Sequence, residues 1–118
     1  MTSRRALEQA EKMEAALAAL EAEYRATLTE ALKACAAGRP GLFGHNEHIR
    51  PGLRARPPVV NELSRLGDEI DRLRKRIGLR PSELRADFEA ARGRVLTDAP
   101  GEAKQALAWL KRLEVTPR

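Results

Sequence analysis

Apolar residues recur at intervals of three and four along the first third of the chain, at Ala10, Met13, Leu17, Leu20, Tyr24, Leu28, Ala31 and Cys35. No glycine or proline interrupts residues 1–37, so the spacing predicts one long amphipathic helix over residues 3–37. Twelve alanines between Ala6 and Ala37 add helix propensity. Glu8 with Lys12 and Glu21 with Arg25 are acid-first pairs four apart, expected to support the polar face by a few tenths of a kcal/mol each. The pattern then stops. Gly38, Pro40, Gly41, Gly44, Pro51, Gly52, Pro57 and Pro58 crowd residues 38–58, which predicts a loop that no long helix crosses.

A second seam follows. Leu63, Leu66, Ile70, Leu73 and Ile77 alternate by three and four, predicting a helix over residues 59–77, with Gly78 as its left-handed stop. Pro81 and Ser82 open a third helix over residues 82–92, with Leu84, Phe88 and Ala91 on one face and Gly93 after it. Asp98 and Pro100 suit the start of a fourth over residues 99–114. Its inward positions are read as Ala103, Ala106, Leu107, Leu110 and Leu113, with Trp109 on a flank as a packed anchor.

These elements predict an all-α single domain spanning residues 1–118, a small helical bundle. Its long N-terminal helix and the second helix form an antiparallel hairpin, joined by two shorter C-terminal helices. At ~1.5 Å per residue the first helix is roughly 50 Å long and the second roughly 30 Å. The first therefore overhangs the second. Either the two C-terminal helices or a second copy of the first helix must cover the excess. The alanines at 15, 16, 18, 19, 22 and 26 would allow another helix to approach closely, so self-association is expected about as readily as a monomer.

Composition narrows the chemistry. Aromatic residues are only 3% of the chain, so the core must be built mainly from alanine and aliphatic side chains. The single cysteine, Cys35, excludes an intrachain disulfide and falls on the apolar stripe of the first helix, where packing is its expected job. The start of the chain meets Glu8, Glu11 and Glu14 before any apolar run long enough for a signal peptide, and no run could span a bilayer. A cytoplasmic location with no membrane association is the expectation.

The formal net charge of +5 is unevenly placed. Residues 38–60 hold Arg39, Arg50, Arg54 and Arg56 against Glu47 alone. If nucleic acid or an acidic partner is bound, Arg50, Arg54, Arg56, Arg74 and Arg76 are the residues expected to carry it, through phosphates and without base specificity. Against that, Asp68 with Arg72 and Asp71 with Lys75 are four apart and neutralise part of the patch, and no aromatic is interleaved to stack a base. The stretch LGDEIDRLRKRIGLRPSEL, Leu66 to Leu84, resembles the front of a phage-repressor helix-turn-helix domain. That family needs a small residue and then a glycine at the tight turn before its recognition helix. Here Arg85 and Glu89 stand in those places and the helical pattern runs on through Ala90 and Ala91, so no recognition helix is expected.

The stretch GLFGHNEH contains both histidines. Leu42, Phe43, Gly44, His45, Asn46, Glu47 and His48 form a candidate functional loop. His45 and His48, with Glu47 between them and Cys35 a few residues before, are the basis for a metal-binding or thiol–imidazole alternative, and a catalytic zinc site would need a third positioned ligand. The structural expectation is different. Leu42 and Phe43 should fold down over the end of the hairpin as an apolar plug, leaving the polar residues on the outside of the turn. No catalytic residue, metal site or cofactor is read from the sequence. The expected role is a non-catalytic protein–protein interaction or regulatory protein, working through a protein partner or self-association.

Overall fold

The computed structural model describes residues 3–39, 42–43, 58–92 and 101–115. Among these residues the fold is all-α, with four helices and no strand. They are α1, Arg4–Ala36; α2, Pro58–Arg76; α3, Glu83–Arg92; and α4, Gly101–Val115. Each predicted helix is present, with ends shifted by a residue or two.

Local chemistry sets the ends that can be seen. The Ser3 hydroxyl accepts a hydrogen bond from the Ala6 amide at 3.1 Å and caps α1. Gly38 takes a positive φ of 109°, and the amides of Gly38 and Arg39 bond back to the carbonyls of Cys35 and Ala34. Gly78, at φ 81°, ends α2 in the same manner, with the Leu79 amide on the Arg74 carbonyl at 2.8 Å. Ser82 caps α3: its hydroxyl receives the Arg85 amide. Its own amide donates to the Asp71 carboxylate at 2.8 Å, which fastens the turn to α2.

α1 packs against both α2 and α4. The seam of α2 meets that of α1: Leu63, Leu66 and Ile70 are buried with Leu17, Tyr24, Leu28, Leu32 and Cys35, while Leu73 and Ile77 are half-buried at the edge. An aromatic chain closes the other side. Phe43 meets Phe88 edge-on at 5.7 Å, and Phe88 meets Trp109 edge-on at 5.5 Å. Leu42 and Phe43 are thus buried as expected, and Phe43 packs on Phe88 of α3, which in turn meets Trp109 of α4.

α4 departs from its expected orientation. Ala106, Trp109 and Leu113 face the core, whereas Leu107 is 58% exposed. The indole ring buries more apolar surface than a leucine would, and the helix is rotated to place it inside. The Arg25 guanidinium donates to the Leu113 carbonyl at the end of α4, a favourable place for a cation. Together with the Arg74–Glu21 pair between α2 and α1, at 2.8 Å, this places both covering helices on the C-terminal half of α1. The N-terminal half is not covered by α3 or α4. From Ser3 to Ala16 every residue is exposed except the half-buried Met13. The molecule is elongated accordingly, 59 × 33 × 19 Å.

Candidate functional site

The cover on α1 ends at a groove of about 720 Å³. Ala18 and Ala22 of α1, Ile70 at the back, and Leu79 and Leu84 from the turn into α3 supply its apolar lining. Glu21, Arg25, Arg74 and Arg80 supply the polar lining. Leu79 is there for a definable reason. In a glycine-stopped helix the residue after the glycine normally packs on the residue three before the cap, and that residue here is Arg74. Arg74 has turned to Glu21 and to the Arg80 carbonyl, so Leu79 is left 45% exposed at the edge of the groove. Leu7, 53% exposed, lies on the uncovered part of the same α1 helix.

A polar cluster lies behind the groove. The Arg85 guanidinium, mostly buried, reaches Asp68 at 2.7 Å, Asp71 at 3.0 Å and Glu89 at 2.6 Å. Burial opposes its charge, but the hydrogen bonds it donates to Glu89, Asp68 and Asp71 outweigh burial and hold its pKa above the ordinary value. Gly67 makes room for it, since a Cβ there would stand 2.6 Å from the Arg85 Nε. Beside this cluster, the Tyr24 side chain is 2% exposed and its hydroxyl has no hydrogen-bond partner among the described residues. Burial first, and the nearby Glu89 carboxylate second, push the phenol pKa up. Tyr24 shares with Ser64, Phe88, Glu89 and Arg92 the lining of a cavity of about 210 Å³.

No family model, curated protein or solved structure matches this chain.

The residues singled out from the sequence fare unevenly. Arg50, Arg54 and Arg56 lie outside the described residues, as do Gly44, His45, Asn46, Glu47 and His48. Of the two basic residues on α2, Arg76 is exposed while Arg74 is half-buried and bound to Glu21, so the two do not form one outward patch. Asp68 and Asp71 were expected to pair along α2 with Arg72 and Lys75, yet both are drawn across to Arg85 on α3. An exposed pair within one helix gives only a few tenths of a kcal/mol, and a half-buried guanidinium with three acceptors gives more. Glu21 likewise binds Arg74, and Glu8 pairs with Arg4 at 3.5 Å. Cys35 is buried among leucines, in the packing role expected of it. Among the described residues no three His, Cys, Asp or Glu side chains are grouped so as to hold a metal ion, and no helix is long and apolar enough to cross a membrane. Where the helix-turn-helix resemblance would require a break near Arg85–Glu89, α3 runs unbroken from Glu83 to Arg92. The groove itself was not foreseen. Its sequence signal is slight: Leu79 and Leu84 flank a Pro-Ser turn, outside any periodic run.

Proposed function

We propose that this chain is a helical protein–protein interaction module with no catalytic role of its own. One observation carries this reading. Residues 4–16 of the longest helix stand clear of the bundle, and further along it a groove with an apolar lining opens next to the exposed Leu79. An isolated helical segment of about 13 residues is marginal in water. A partner that buries Leu7, Ala10 and Met13 would stabilise it. Exposed large apolar side chains and apolar-lined grooves mark contact surfaces more often than catalytic clefts.

Nucleic-acid binding is the less favoured reading, because Arg74 is committed to Glu21. A photo-crosslinking amino acid placed at Leu7 or Leu79 in living cells tests the proposal, with exposed Arg72 as the control position. The expected result is a discrete crosslinked polypeptide at positions 7 and 79 and none at 72. Equal labelling at all three positions overturns the reading. Salt-sensitive binding to duplex or single-stranded nucleic acid, lost when Arg50, Arg54 and Arg56 are replaced, would put the arginine loop in its place.

A further inference from the structure

Helices α1, α2 and α3 meet around the cavity of about 210 Å³ beside Tyr24. Val60 and Leu63 of α2 and Phe88 of α3 give it an apolar wall. Tyr24, Ser64, Glu89 and Arg92 supply its polar lining. The Tyr24 side chain is 2% exposed, and its hydroxyl is closed to solvent with no hydrogen-bond partner among the described residues. A phenyl ring would pack in the same place without that cost, so packing alone gives the oxygen no purpose. We infer that this cavity takes a small uncharged carboxamide, whose carbonyl oxygen accepts from the Tyr24 hydroxyl and whose apolar body lies on Val60, Leu63 and Phe88. The site is separate from the interaction reading and does not depend on it.

Size, charge and hydrogen bonding together select that class. At ~30 Å³ per water the cavity has room for roughly seven waters, more than a single bridging water needs and about the bulk of a molecule of seven non-hydrogen atoms. Glu89 and Arg92 set one charge of each sign on the lining, so an anion meets a carboxylate, a cation meets a guanidinium, and neither gains over an uncharged molecule. Burial keeps the phenol protonated through neutral pH, which makes Tyr24 a donor in search of an acceptor. A carbonyl supplies one. The amide N–H groups beside it can donate to the Ser64 hydroxyl, or to Glu89, whose carboxylate has acceptor capacity beyond its bond to Arg85 at 2.6 Å. Because the Tyr24 hydroxyl is closed to solvent, one wall must give as the amide enters. α3 is that wall: Phe88 is its one buried side chain, and Glu89 beside it is 48% exposed. A short helix that buries so little opens locally at less cost than the bundle unfolds.

Titration of the full chain with isovaleramide is the test, followed by backbone amide NMR shifts and by the absorbance of the only tyrosine. Saturable shifts at Tyr24, Ser64 and Glu89, with a dissociation constant in the millimolar range, are expected for a molecule of this size. The Tyr24 band should move to the red as its hydroxyl donates, a readout that needs no variant. Tyr24→Phe should weaken binding by roughly fivefold or more, since it removes one hydrogen bond, while the chain without amide is no less stable. Opposite signs for affinity and stability separate a binding role from a structural one. Isovalerate and isoamylamine, charged molecules of similar shape, should bind more weakly than the amide. Shifts that do not saturate overturn the site, as does a tyrosine band that stays in place at saturation or an affinity unchanged in Tyr24→Phe. Tighter binding of either charged molecule overturns the assignment of an uncharged ligand.

Discussion

Tyr24 is the side chain whose surroundings fit it least. Its ring belongs to the α1 seam, at a position the three-four spacing picks out, but its hydroxyl is buried with no partner among the described residues. A buried hydroxyl without a hydrogen bond costs free energy that a phenyl ring in the same place avoids. Tyr24→Phe is therefore expected to leave the fold intact and to raise stability by up to about 1 kcal/mol at neutral pH in chemical denaturation. The pH dependence follows from the direction of the shift. The folded phenol pKa lies above the unfolded value of about 10, so the protonated form binds its proton more tightly in the folded state. The associated stability is fully present below pH ~10 and declines as pH rises above that, towards the folded pKa. Because Tyr24 is the only tyrosine, phenolate absorbance reports it directly, and the alkaline decline should be shallower in Tyr24→Phe. Equal slopes in the two proteins would refute the assignment. Gly67 gives a second test. A glycine inside a helix is normally improved by alanine by about 1 kcal/mol. Here the added methyl group would meet the Nε, Cγ and Cδ of Arg85 within 2.6 to 2.9 Å and push the guanidinium from its carboxylates. Gly67→Ala should thus bring no gain, or a loss, and the ordinary gain should return when Arg85 is alanine. A double-mutant cycle measures this coupling, and additive effects would contradict it.

At the scale of whole helices, the spacing of leucines and the Gly/Pro punctuation made nearly everything about α1, α2 and α3 readable before any coordinates. Leu63, Leu66 and Ile70 lie where a seam must lie, and Gly38 and Gly78 stop their helices by positive φ. α4 was harder. Its apolar residues, from Ala103 to Leu113, are close enough together that two rotations differing by half a residue's turn look equally good. Only the packing of Trp109 on Phe88 decides between them, and the partner ring lies twenty-one residues away in sequence. Cross-helix ion pairs were hidden for the same reason: Asp68 has an attractive neighbour four residues on, and Arg85 cannot be recognised as the stronger one until α3 is folded against α2. The groove could not be read at all, because it is a space between helix ends. Two substitutions separate seam from plug. Ile70→Ala, at a fully buried seam position, should cost about 2–5 kcal/mol. Phe43→Ala should cost about 3 kcal/mol, because it removes one end of the aromatic chain as well as the plug. Equilibrium unfolding measures both. A loss below about 1 kcal/mol for Phe43→Ala would mean that the chain after α1 is not held to α3.

For the molecule as a whole, the unusual property is a helix that runs on well past its cover, through residues 4–16. The core draws on Leu17 through Cys35 of α1, and the earlier residues of that helix bury almost nothing within one copy. Their contribution to the stability of an isolated chain must then be small, since exposed side chains away from special contacts change stability by about 0.5 kcal/mol or less. If copies associate through them, as the alanine-rich face of α1 would allow, their contribution enters through mass action. Association that binds only the folded state raises the melting temperature as concentration rises. Deleting residues 2–12 separates the two contributions. The shortened chain is expected to keep the Phe43–Phe88–Trp109 packing and a native near-ultraviolet spectrum, and at low concentration to melt within a few degrees of the full chain. At high concentration the full chain should melt higher and the shortened one should not. Thermal melts of both proteins over a hundredfold range of concentration decide the matter. Parallel behaviour of the two would show that the free half of α1 does nothing for association, and a collapse of the shortened chain at every concentration would show that it supports the bundle itself.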